Sequence, residues 1–254
     1  MAEETWKTAI TDTGPGKIRV RGYSITDIME KLSYAEAVFL VLKGELPSRA
    51  EAELMNAILV SSIDHGPTPP SVLGTRTVLS GGNSLNAAIA GGVLVIGDIH
   101  GGAIEQSARI MQEWAGKEGD VEDLAAKLVD WLKGTETRMP GFGHQLHKVD
   151  PRTGKLFEIA ARVGYSGRHI DLCVAVEKAL EEKLGRQLPI NINGATAAVI
   201  SDMGFDWRLG KGFFIISRVP GLLAHAYEEM TRERPMRKLG PPSFDYDGPD
   251  ERDI

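Results

Sequence analysis

Gly141-Phe142-Gly143-His144, followed by Asp150-Pro151-Arg152, places an imidazole on a glycine-flanked turn and a guanidinium a short reach away. An imidazole titrates near neutral pH and a planar guanidinium takes both oxygens of a carboxylate, so the pairing suits a site that grips a carboxylate beside a reactive carbon. Two further histidines have comparable settings, in Asp64-His65-Gly66 and His100-Gly101-Gly102. A lone histidine is more often a hydrogen-bonded structural residue than a catalyst. Glycine, however, lets the backbone approach a ligand and leaves amide groups available, and three such histidines point to one site assembled from several segments. His147, His169 and His225 lack that setting. Arg152, Arg218 after the apolar run Phe213 to Ile216, and Arg234 before Pro235 add candidate carboxylate forks, although any one of them alone fits a solvated surface cation equally well.

Other chemistries fit less well. Three histidines can hold zinc, but no pair has the close helical spacing of His-Glu-x-x-His and each stands beside glycines, so no metal is expected. There is no Gly-x-Ser-x-Gly elbow, and the glycines match neither a Walker loop nor a dinucleotide fingerprint following a strand. Cys173 is the only cysteine, which excludes an intramolecular disulfide and a cysteine-based zinc site; its place between Leu172 and Val176 in a helical pattern reads as a packed thiol. A net charge of -6, with 25% charged and 42% hydrophobic residues, describes an ordinary soluble chain without the basic excess of nucleic-acid binders. Met1 to Lys7 has no apolar signal core, and the longest weakly polar run, Leu85 to Gly97, is too short to span a bilayer. No nucleic-acid or membrane partner is expected, and the cytoplasm is the expected compartment.

The elements that must position these residues are mainly helical. Lys17 to Gly22 alternates polar and apolar residues, as a short strand or ribbon does. Ile28, Leu32, Ala35, Phe39 and Leu42 then recur at helical spacing, with Ser33 to Glu36 at capping-box spacing inside the stretch and Gly44 as a stop. Ser48 to Glu51 opens a second helix running toward His65, where Gly66-Pro67 and Pro69-Pro70 break the pattern. Residues 85 to 97, rich in Ala and Gly, read as a buried helix, and amphipathic patterns run from Val121 to Gly134 and from Leu172 to Leu184. The tail after Gly240 should be extended and poorly packed.

Set side by side, Arg21-Gly22-Tyr23, Gly44 to Pro47, Asp64 to Pro67, Gly97 to Ala103, Pro140 to His144 with Asp150-Pro151-Arg152, Asn191 to Gly194, Arg218 with Gly221 and Ala224-His225, and Glu233-Arg234-Pro235 resemble the citrate synthase superfamily. The likeness is strongest to its short citryl-CoA lyase branch, which includes the lyase module of ATP-citrate lyase; the segments occur in family order along nearly the whole chain. The resemblance implies an all-α, citrate synthase-like fold with a large domain, 1–103 plus 191–254, and a smaller inserted domain, 104–190. It also implies a homodimer or higher oligomer, no permanently bound cofactor, and a coenzyme A thioester as substrate or product. By the same likeness His65, His144, Arg152 and Arg218 would bind the carboxylates and the keto or hydroxyl oxygen of an oxaloacetate or citryl group. Arg234 would reach the neighbouring subunit's site, His100 would hydrogen-bond the thioester oxygen, and Pro140, Gly141, Phe142 and Gly143 would lie along CoA.

Two positions depart from the pattern. Family members carry Asn-x-Asp where this chain has Asn191-Ile192-Asn193, and that aspartate exchanges the methyl proton of acetyl-CoA. An amide can hold the geometry but cannot exchange a proton as a carboxyl does, and one general acid-base group is worth about 10² to 10⁴ in rate. Asn193 thus fits a substitution made to trap a ligand, a relative that draws its proton from elsewhere, or a homologue without turnover. Gln145 stands where the family usually has a basic residue. The expected activity is citryl-CoA cleavage; a condensing enzyme and a CoA or dicarboxylate-binding homologue are the alternatives.

Overall fold

The structure, a computed structural model, describes residues 6–143, 150–185, 187–237, 245 and 247–253. The expected His144 and Gln145, and residues 241–244, 246 and 254 of the tail after Gly240, lie outside the described residues. Among the described residues the fold is all-α apart from a small antiparallel ribbon, β1 (Thr11–Gly14), β2 (Lys17–Val20) and β3 (Tyr23–Ser24), paired in the order β1-β2-β3. The chain divides into two compact units, residues 1–63 with 97–218 and residues 64–96 with 219–254.

In the first unit, α1 (Ile25–Lys31) and α2 (Tyr34–Lys43) replace the single helical stretch that the spacing of apolar residues described. The break is local chemistry: the Ser33 amide donates to Glu36 Oε2 at 2.7 Å while Ser33 Oγ accepts the Glu36 amide, a complete capping box that starts a new helix. Gly44 ends α2 in the left-handed conformation, where a side chain would be strained. Ser48 and Glu51 form a second capping box at the head of α3 (Arg49–Ser61). The unit continues with α6 (Ala103–Ala115), α7 (Val121–Gly134), α8 (Pro151–Arg162), α9 (Arg168–Leu184) and α10 (Ile192–Asp202). The nearly all-buried α10 packs on α6, α8 and α9 and forms the centre of the core. Cys173 is fully buried there, and burial pushes its thiol up, which removes it from the candidate nucleophiles.

The second unit contains α4 (Pro70–Ser80) packed on α5 (Leu85–Leu94); α11 (Gly210–Arg232) has residues in both units. A Cβ on Gly92 would overlap Thr75 Oγ1, and one on Gly91 would come within 2.8 Å of Val78 Cγ2, so the small residues of α5 serve a close approach to α4. The expectation that 85–97 is buried is corrected here. Ala88, Gly92 and Ile96 are buried, whereas Leu85, Leu94 and Val95 are exposed, because only one side of the helix meets α4. Among the described residues no helix is long and apolar enough to cross a membrane.

Candidate active site

Two arginines of the first unit meet at the end of α3. The carbonyls of a helix's last turn have no partners within the helix and carry its partial negative charge. Here two of the predicted arginines supply them. Arg152 Nη1 donates to Ser61 O at 3.3 Å, and Arg218 Nε donates to Ser62 O at 2.9 Å, so neighbouring carbonyls bring the two guanidiniums together. Arg218 is buried, 3% exposed, and its guanidinium lies over the Phe214 ring at 4.8 Å, a cation-π contact.

Asp150 holds the other face of Arg152. Its Oδ1 accepts the Arg152 amide at 3.1 Å and Nε at 3.0 Å, while Oδ2 accepts Nη2 at 2.9 Å and the Ile192 amide at 3.1 Å. Asp150 is the N-cap of α8, with Pro151 at the first helical position, so its backbone is set by a local signal. Burial pushes its carboxyl up, but the bonds from Arg152 and from the Ile192 amide outweigh that and hold it below the usual aspartate value. The same carboxylate therefore orients the arginine and anchors the segment carrying Asn193.

That segment is also tied to the Pro140–Gly143 turn. Gly143 N donates to Pro189 O at 2.7 Å and Asn191 N to Gly141 O at 2.9 Å, a short strand-like pairing. Asn191 caps α10 with Oδ1, which accepts the Asn193 amide at 2.9 Å, and its Nδ2 donates to Gly143 O at 2.8 Å. The backbones approach so closely that a Cβ on Gly141 would sit 2.5 Å from Gly194 Cα, and Gly141 has φ +82°. The half-buried Phe142 and Gly143 also border a cavity of about 550 Å³ with Arg138, Met139, Leu180 and Leu184.

His100 sits in the tight turn 97–101, where Gly97 N donates to the His100 carbonyl at 2.9 Å and Gly101 has φ +89°. Asp98 of the same turn pairs with Lys211 at 2.8 Å. The His100 ring meets the Phe214 ring edge-on at 5.6 Å, so Phe214 touches both His100 and Arg218. Burial first, and then the Arg218 charge, hold His100 below the usual histidine value. The ring is thus neutral at physiological pH and can donate one hydrogen bond to an oxygen that gains negative charge, without being an acid strong enough to lose the proton.

The structure therefore brings together Arg152, Arg218, His100, Asn193 and the 140–143 turn within the first unit. His65 and Arg234 belong to the second unit, both exposed. The segment after Arg234 is fixed there: Met236 N donates to Ser80 O, and Arg237 and Arg76 both pair with the buried Glu229 at 2.6 Å. Reasoning from sequence missed the clamp at Asp150 and the bridging ring of Phe214. An Asp-Pro pair at a helix start signals a cap, which could have found the first; nothing local marks the second.

Residues 47–239 match the citrate synthase C-terminal domain. Citrate synthase 2 of Bacillus subtilis (strain 168) is 28% identical over 91% of this chain and 60% of its own length. The citrate/2-methylcitrate synthase of the same organism is 31% identical over 87% of this chain and 58% of its own length. The chain thus spans about 60% of the length of these curated relatives. Among solved structures, the citryl-CoA lyase from Hydrogenobacter thermophilus is 44% identical, with a TM-score of 0.92, covering 98% of this chain and 97% of that one. The ATP citrate lyase from Methanothrix soehngenii, solved in complex with citrate and coenzyme A, shares the fold at 22% identity, with a TM-score of 0.86 over 99% of this chain and 43% of that one.

Proposed function

The chain belongs to the citrate synthase family, and on that premise we propose that it is a carbon–carbon lyase that cleaves citryl-CoA, or a related 3-hydroxy-3-carboxyalkyl-CoA, to acetyl-CoA and oxaloacetate or a related 2-oxo acid. The likeness to a citryl-CoA lyase over nearly the full length of both chains supports this reading over one drawn from the longer synthases. The observation that carries it is the neutral, half-buried His100 beside Arg218, which is tethered with Arg152 to the neighbouring carbonyls at the end of α3.

In the proposed reaction Arg152 and Arg218, with His65 and His144, bind the carboxylates and the tertiary hydroxyl. The hydroxyl gives up its proton to the His144 imidazole, acting as the catalytic base, and its carbon becomes the ketone of the 2-oxo acid as the bond to the thioester's methylene breaks. The electron pair moves onto the thioester oxygen, where the His100 N–H stabilises the enolate; one missing donor at such a site costs about 10² to 10³ in rate. The enolate carbon then takes up a proton from water to become the methyl of acetyl-CoA, since the Asn193 amide cannot give one. Pro140 to Gly143 would lie along CoA. Residues 104–190 would form the smaller inserted domain and residues 1–103 with 191–254 the larger. The protein would work in the cytoplasm as a homodimer or higher homo-oligomer in which Arg234 enters the neighbouring subunit's site; exposed Leu85, Leu94, Leu223, Tyr227 and Met230 in the second unit support an oligomer.

Asn193 cannot supply the final proton, so cleavage should be slow and Asn193→Asp should raise it by about 10² to 10⁴. Acetyl-CoA release from citryl-CoA, measured for both forms, tests this. No cleavage by either form, with neither CoA nor oxaloacetate bound, would end the lyase reading. The identity to citrate synthases favours a second reading, condensation; rapid citrate formation from acetyl-CoA and oxaloacetate would establish it. Tight binding without chemistry in either direction, and no rescue by Asn193→Asp, would instead mark a CoA or dicarboxylate-binding homologue.

A further inference from the structure

The second unit opens with Asp64 and His65, and the turn they form is held by a side chain from α11. Asp64 Oδ2 accepts the Gly66 amide at 2.9 Å, and Oδ1 lies 3.0 Å from His225 Nε2. Burial pushes the Asp64 carboxyl up, but the Gly66 and His65 amides and the His225 imidazole together hold it below the usual aspartate value. Asp64 is therefore an anion that only accepts, and His225 Nε2 must carry the hydrogen of their bond.

The other ring nitrogen marks this as more than space-filling. His225 Nδ1 is buried without a hydrogen-bond partner among the described residues, with Glu228 Oε2 4.0 Å away. Burying a polar atom in that way is unfavourable, and an apolar side chain would avoid it. His65, by contrast, stands in the exposed, non-helical stretch between α3 and α4, followed by Gly66 at φ +83° and Pro67. Its backbone direction depends on what holds the turn.

We infer that His225 is a positioning residue for His65: it pins the Asp64 carboxylate, which in turn holds the His65 and Gly66 amides and sets the direction in which the His65 imidazole is presented. The inference rests on the reading of His65 as a group that binds the acid part of the substrate. His225→Ala removes the donor, whereas His225→Gln places an amide N–H near the position of Nε2. Each is made alone and together with His65→Ala, with calorimetry for oxaloacetate and for CoA, and amide hydrogen exchange at His65 and Gly66.

Losing a hydrogen bond to a charged group should weaken oxaloacetate about tenfold in His225→Ala. CoA affinity should stay within about twofold, since the turn holds only the acid-binding residue. Exchange at both amides should quicken, His225→Gln should restore both measurements, and His225→Ala should add no further loss when His65 is already alanine. A further loss in that background, a parallel fall in CoA affinity, or an unchanged oxaloacetate affinity would overturn the inference. If the unaltered protein binds neither ligand, the acid-binding reading of His65 has failed, and unchanged exchange at the two amides would then overturn the positioning role as well.

Discussion

Asp150→Asn tests whether one buried carboxylate organises the site. The carboxylate accepts four hydrogen bonds, three from Arg152 and one from the Ile192 amide, and is 1% exposed. Asparagine has the same shape, but its NH₂ would face a pair of donors, and Arg152 would lose its counter-charge. Breaking a buried ion pair costs 3–5 kcal/mol, and the 27% exposure of the Arg152 side chain reduces this to about 2–3 kcal/mol. For a chain of this size that lowers the melting midpoint by roughly 4–12 °C. Because the folded-state pKa of Asp150 is depressed, its contribution is present above the unfolded value near 3.9 and is lost as pH falls through the folded value. The difference between the two proteins should therefore shrink in strong acid. Oxaloacetate affinity should fall about tenfold, as the fork of Arg152 loses its orientation. Thermal unfolding from strong acid to pH 8, with calorimetry at pH 7, reads both effects. A midpoint within about 1 °C of the unaltered protein at pH 7, with undiminished oxaloacetate binding, would refute the clamp.

Gly141→Ala would drive a Cβ within 2.5 Å of Gly194 Cα at a positive φ, so it should cost about 2–4 kcal/mol and weaken CoA, read by melting and calorimetry. His100 has a depressed pKa, so cleavage should persist below pH 6.5 and fall only as the ring protonates lower down. The unfolded chain also binds more protons in that window, so the contribution of His100 to stability declines as pH drops below 6.5; a pH-rate profile centred on an unshifted histidine would contradict this. Glu229→Gln leaves Arg76 and Arg237 without their buried partner and should cost about 2–4 kcal/mol, measured by urea unfolding.

How far the site was legible depended on the range of the interactions. Ser33 with Glu36 and Ser48 with Glu51 bond across three residues, so their helix starts could be read directly. Residues 85–97 were misread as core because composition records side-chain size, not which side another helix covers. His100 could be named from its glycines, but its neutral state depends on burial and on Arg218, far along the chain. Asp150 meets Ile192 across 42 residues and Asp64 meets His225 across 161, distances over which no local pattern operates.

The sequence alone thus determined the family, the helical class and the residue types able to grip a carboxylate, since these depend on periodicity, caps and an ordered set of short motifs. It also exposed the amide at Asn193, where a proton donor would be expected. Only the tertiary structure decided which groups share one microenvironment. The end of α3 draws Arg152 and Arg218 to adjacent carbonyls, and Phe214 joins Arg218 to His100. Charge, burial and hydrogen bonding act through space, so the orientation of the arginines and the protonation of His100 exist only once the chain has folded.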